Sequence, residues 1–167
     1  PDTVVIVIPH ATSYADYFHI SPGKSAQGNM FKFRAGDIHF SVRYDTGLIE
    51  EICRKADRLD FPAGTLGEQD KNLDHGTMIP LYFIRKFIQL DKLRFVRIGL
   101  SGLSLEEHYK LGEIIKEASN AKDRRVAFVA SGDLSHKLKE DGPYGFVKEG
   151  PEYDEKIMDV MGSADFM

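Results

Sequence analysis

Residues 3–8, Thr-Val-Val-Ile-Val-Ile, form an unbroken run dominated by β-branched side chains. A strand with one face in water alternates apolar and polar residues, so an unbroken run predicts a strand buried on both faces. Phe95 to Leu100 and Arg125 to Ala130 read as a second and a third core strand. Asp37 to Tyr44 alternates instead, with Ile38, Phe40, Val42 and Tyr44 on one side and His39 on the polar side, as in a half-buried strand.

Helical patterns separate these runs. Asp45 or Thr46 can cap a helix from about Gly47 to Leu59. Thr77 to Ile88 is apolar at helical spacing, with Pro80 read as a first-turn residue. Ser104 and Glu107 have capping-box spacing for a helix through Ala118, and Glu152 to Met161 reads as a last helix. Residues 10–33 read as a long, partly ordered loop with a turn at Ser21-Pro22-Gly23-Lys24, and Pro62 to Gly67 as a short connecting strand or turn. Strands alternating with helices predict an α/β fold: a central, mostly parallel or mixed sheet flanked by helices on both faces. A single domain over residues 1–167 is expected. The start at Pro1, directly before a strand, and the helix-like pattern running to Met167 read as cut ends, so a fragment of a longer polypeptide is expected.

Composition narrows the class. With 42% hydrophobic and 29% charged residues, the chain reads as soluble and globular. The net charge of −4 comes without a concentrated basic stripe, which argues against nucleic acid as a partner. No apolar run is long enough to span a bilayer, which argues against a membrane partner. The one cysteine, Cys53, excludes an internal disulfide framework and fits a reducing cytoplasm. It lies in an amphipathic helical pattern, where a half-buried structural role is expected.

Three strand-adjacent segments carry chemistry: Pro9-His10 after the first strand, Leu73-Asp74-His75-Gly76 before an apolar helix, and Ser131-Gly132-Asp133-Leu134-Ser135-His136 after the third strand. In open α/β sheets, ligands gather at the carboxyl ends of the strands, where His10 and Asp133 are expected. His10 reads equally as a ligand-directing imidazole or as a histidine capping a loop carbonyl. Asp74 and His75 read as a helix cap and first-turn residue, or as an imidazole that hydrogen-bonds an oxygen ligand. Asp133 and His136 are the strongest pair, a carboxylate able to orient a ring or support its protonated form, although turn-amide capping by Ser131, Asp133 and Ser135 is the plain alternative. His19 and His108 read as partnerless, His39 as a surface histidine, and Tyr14, Tyr17 and Phe18 as either an aromatic pocket wall or ordinary packing. Neither Ser131 nor Ser135 has a nucleophile-elbow pattern, and no phosphate-cradling glycine loop is present.

Taken together, Pro9-His10, Leu73-Asp74-His75-Gly76-Thr77-Met78-Ile79-Pro80-Leu81 and Ser131-Gly132-Asp133-Leu134-Ser135-His136 resemble the class III extradiol ring-cleavage dioxygenases. This is the LigB-type superfamily that also contains the Memo-like proteins. The resemblance is closest to microbial dioxygenase-like domains joined to an AMMECR-type domain. It implies oxidative opening of a catechol-type ring by non-haem Fe(II) held by two histidines and one carboxylate, with zinc as the alternative metal. It implies a small aromatic diol and dioxygen as partners, with a homo-oligomer and a covalently joined AMMECR-type domain as further ones. By the same resemblance His10 is a metal histidine, His136 the acid/base histidine, His75 the oxygen-side or substrate-side histidine, and Asp133 an acidic position of the Memo-like branch. The family's other histidine ligand and its glutamate would fall before Pro1 and beyond Met167, so the isolated fragment is expected to bind iron weakly and to be inactive. A Memo-like regulatory module without ring cleavage and a metal-dependent hydrolase are the alternative functions.

Overall fold

A computed structural model describes residues 1–165. The expected helix-like pattern to Met167 lies, at residues 166 and 167, outside the described residues. The chain divides into two compact units, one of Pro1–Ser131 and one that begins at Gly132.

The first unit is built on a parallel three-stranded sheet in the order β6-β1-β7. Its strands are β1 (Thr3–Ile8), β6 (Arg94–Gly99) and β7 (Val126–Ala130). Thr3 pairs with Arg94 on one side and Val126 on the other, so β1 is central. Val4, Val5, Ile6 and Ile8 are all at most 1% exposed, as the unbroken run predicts. Each such side chain contributes roughly 1.5–3 kcal/mol of burial.

The two faces of β1 meet different elements. The Thr3 hydroxyl reaches Asp45, the N-cap of α1 (Thr46–Arg58), whereas Ile8, which projects to the opposite face, lies against Gly76 of α2 (His75–Ile84). Helix α3 (Leu105–Ala121) packs on α1, with a 3.0 Å Lys55–Glu117 ion pair between them. It begins in the expected capping box of Ser104 and Glu107. This is the α/β arrangement expected from the sequence.

Two segments depart from expectation. Within residues 10–33, β2 (Phe18–His19) pairs in parallel with β5 (Ala63–Gly64), and β3 (Ser25–Met30) pairs antiparallel with β4 (Ala35–Arg43). Ser-Ala-Gln-Gly-Asn-Met has no β-branched residue and buries only Ala26, so the ladder to β4, not side-chain propensity, makes β3 a strand. Helix α2 starts at His75 and ends at Ile84, which moves Pro80 from the first turn into the helix interior.

The second unit holds an antiparallel bridge between Leu138 and Phe146, a turn with Gly145 at φ +70°, and α4 (Glu149–Ser163). Ala164 ends this helix in the left-handed conformation. No helix among the described residues is long and apolar enough to cross a membrane.

Asp45 ties three elements of the first unit together. It accepts from Thr3 Oγ1 at 2.6 Å, Leu48 N at 3.1 Å and Arg124 Nε at 2.9 Å. Burial opposes its ionisation, but these three bonds outweigh burial and hold the carboxyl below its ordinary value. A carboxyl lowered on folding adds stability that is complete above its unfolded pKa of about 3.9 and is lost as pH falls through the folded value. Chemical denaturation across pH should therefore show stability falling below about pH 4. Asp45→Asn should cost about 1–2 kcal/mol at neutral pH and flatten that acid limb. An acid limb identical to the wild type's would show that Asp45 does not supply it.

Candidate functional site

The exit of β1 and the start of α2 bring two of the expected histidines together. His10 follows Ile8 and Pro9 on an exposed turn, and His75 is the first residue of α2. Their ring centroids are 4.1 Å apart with the planes inclined by 37°. Gly76 makes the approach feasible: a Cβ there would stand 3.2 Å from His10 Cδ2 and 3.0 Å from Asp74 Oδ1.

The start of α2 is held by a buried cation. Asp74 caps the helix, accepting from Thr77 N at 3.0 Å and Thr77 Oγ1 at 2.9 Å. Arg97 of β6, only 2% exposed, places Nη2 3.1 Å from Asp74 Oδ2 and 3.8 Å from Asp70, and its Nη1 donates to the Asn72 carbonyl at 3.1 Å. Pro80 has no N–H to return to Gly76 four residues earlier. The Ser131 hydroxyl donates to that Gly76 carbonyl instead, at 2.8 Å, so the end of β7 repairs the first turn of α2. Asp74 and His75 are thus the cap and first-turn residue that their plain structural reading requires, and His75 also faces His10.

A third ring joins this pair. Phe33, on the short 3-10 turn Phe31–Phe33 between β3 and β4, lies 5.4 Å from the His75 ring at 51° and is 52% exposed. The hairpin reaches this position because Gly28 of β3 lies against α2 and its lead-in: a Cβ there would stand 2.8 Å from Met78 Sδ and 2.9 Å from Leu73 Cβ.

In the second unit, His136 Nε2 is 3.4 Å from Asp133 Oδ2, with both side chains about half exposed. The Tyr144 ring lies 5.2 Å from the His136 ring at 31°. Ser135 N donates to Asp154 of α4 at 2.7 Å, which anchors the segment between Asp133 and His136. Among the described residues, no three His, Cys, Asp or Glu side chains gather as a metal-binding group.

Other histidines differ from expectation. His19 is 2% exposed and is not partnerless: its Nδ1 lies 3.0 Å from the Leu66 carbonyl, which can only accept, so Nδ1 carries the proton. His108 is also partnered, with Nδ1 2.8 Å from the Ser104 carbonyl and its ring edge-on to Phe18 at 4.7 Å. His39 is exposed, as its place on β4 predicts. Of the two readings of the aromatic loop, packing accounts for the observed contacts. The Tyr14 and Tyr17 hydroxyls accept from Glu68 N and Leu66 N, and Phe18 stacks on Phe61 at 5.7 Å. Cys53 is half-buried, and burial pushes its thiol pKa up, as suits a structural residue.

Arg97 and Phe33 are the residues that sequence reasoning missed. A charge inside an apolar strand was a legible signal for Arg97, whereas nothing local marks Phe33 as a neighbour of His75.

Comparison with known proteins adds independent findings. The family model described as the catalytic LigB subunit of aromatic ring-opening dioxygenase matches residues 1–166. Protein CA_C1420 of Clostridium acetobutylicum is 33% identical over 165 residues, covering 95% of this chain and 35% of that protein. The MEMO1 family protein MJ0403 of Methanocaldococcus jannaschii is 26% identical over 136 residues, covering 80% of this chain and 42% of that protein. The chain thus spans well under half the length of either relative.

Two substitutions test the support of the first unit's histidines. Arg97→Met should cost about 3 kcal/mol, the low end for breaking a buried pair, because Asp74 keeps its helix-cap bonds; urea denaturation measures it. A loss below about 0.5 kcal/mol would mean that the guanidinium does not hold this segment. Gly76→Ala should displace the His10 ring, seen as a shifted His10 imidazole resonance and a weakened contact to His75 in NMR spectra. Unchanged His10 signals would show that the glycine is not what admits the ring.

Proposed function

This chain belongs to the LigB family, that of the catalytic subunit of aromatic ring-opening dioxygenases, and on that premise we propose that its natural polypeptide opens catechol-type rings with non-haem Fe(II) and dioxygen. The observation that carries this reading is the His10–His75 ring pair at the carboxyl end of β1, where α/β sheets collect ligands. The described residues do not by themselves fit an iron centre, which needs two histidines and a carboxylate on one face. In this proposal His10 is one ligand, and the others come from sequence of the kind that the longer relatives carry outside the matched stretch.

The chain's own residues supply proton handling. His75 hydrogen-bonds a substrate oxygen, held in place by Asp74 and Arg97 behind it. His136 takes the proton of a substrate hydroxyl and returns it later, and Asp133 stabilises the imidazolium formed between those steps. The similarity to a MEMO1 family protein supports a second reading, a Memo-like module that binds a ligand in the same residues without opening a ring.

Anaerobic addition of Fe(II) and catechol, then oxygen, tests the proposal. The natural polypeptide carrying these residues should take up oxygen and form the yellow ring-cleavage product, and His10→Ala or His136→Ala should lower the rate at least about a hundredfold. The 167-residue chain alone should form no product; product from it would overturn the requirement for further ligands. Absence of oxygen uptake by the iron-loaded natural polypeptide, with the ligand still bound, would favour the Memo-like reading.

A further inference from the structure

Phe33 is a large apolar side chain left half in water beside the His75 imidazole, which on its own account faces His10. What sets it apart from other exposed rings is its place, 5.4 Å from the His75 ring and inclined to it by 51°, with 52% of its surface exposed. The ring is not loosely displayed. The Phe31 amide donates to Asn29 Oδ1 at 3.0 Å, and Arg34, in the left-handed conformation at φ 59°, returns its amide to the Phe31 carbonyl at 3.0 Å. The close seat of Gly28 on Leu73 and Met78 then fixes the hairpin against α2. Phe33 is therefore held over His75 by backbone bonds and packing, with its other surface open.

A preorganised aromatic face beside hydrogen-bonding imidazoles has a definite chemical preference. Flat π-systems stack on it in offset or edge-on geometry, while saturated rings of similar size gain less. We infer that Phe33 is the stacking wall for the aromatic ring of the substrate, so the tip of the β3–β4 hairpin sets the preference of the His10–His75 site for planar ligands. This inference rests on the ring-opening reading for the identity of the ligand, but the stacking contact itself needs no metal and no turnover.

The probe is 4-nitrocatechol, added at millimolar concentrations to the metal-free 167-residue chain and followed by NMR and by its visible absorbance. Its ring protons should show cross-peaks to Phe33 and shift upfield, and His75 should shift with them. Phe33→Ala should weaken binding about tenfold and abolish the cross-peaks, whereas Phe33→Tyr, which keeps the ring, should bind as the wild type does. Cyclohexane-1,2-diol, with two hydroxyls on a saturated ring, should bind more weakly than the probe and lose little affinity in Phe33→Ala. The half-exposed position makes misfolding an unsuitable explanation, and an unchanged His10–His75 contact in the variant checks it. The inference is overturned by wild-type affinity in Phe33→Ala, by cross-peaks that avoid Phe33, or by no binding to the wild type. In the natural polypeptide, an unchanged KM for catechol in Phe33→Ala alongside ring opening removes the wall and leaves the proposed reaction standing. Stacking on Phe33 without ring opening does the reverse.

Discussion

The first unit depends on a buried guanidinium. Arg97 sits within β6, in Val96-Arg97-Ile98, in register with Ile6 and on the face of the sheet where Ile8 meets α2, and a cation there is tolerable only with anions and carbonyls brought to it. Residues 70–74 do this, wrapping the guanidinium with two carboxylates and a carbonyl. The arrangement leaves Arg97 Nε buried without a hydrogen-bond partner, so it is not an optimal stability device. Its consequence is positional. Once Asp74 is fixed by Arg97, the first turn of α2 has one place to start, and His75 is the residue that starts it.

The same turn carries a second constraint. Pro80 deprives Gly76 of its helical hydrogen bond, and a buried orphan carbonyl would cost about 1–3 kcal/mol. Ser131 supplies the missing donor, while its own amide donates to the Val7 carbonyl at 2.9 Å. One residue at the end of β7 thus reads both the exit of β1, which carries His10, and the turn of α2, which carries His75. Ser131 acts here as a strut rather than as a nucleophile.

What the sequence made legible was whatever its local pattern encodes. The unbroken run of β1, the alternation of β4 and the Ser104–Glu107 box of α3 are signals contained within a few residues, and each element stands where its pattern puts it. The failures share one cause, partners distant in the chain. His19 finds its carbonyl 47 residues away, and Arg97 finds Asn72 at a separation of 25. β3 is a strand only because β4 pairs with it, and the carbonyl that Pro80 leaves without a helical donor inside α2 is satisfied by a serine 55 residues from Gly76. The motif histidines were legible as positions on strand exits and helix starts; the contact between His10 and His75, and Phe33 beside them, required the fold.

The two sets of functional candidates differ in what their surroundings explain. Asp74 has a complete structural account, since it caps a helix and answers a buried cation, so its presence alone says little about chemistry. Asp133 and His136 stand in different surroundings. Their pair is half exposed and separated by 3.4 Å, and an ion pair of that kind contributes little to stability in water. The neighbouring Ser135–Asp154 bond already anchors the backbone between them. The proton handling proposed for this pair asks for a geometry that the fold supplies with little consequence for stability.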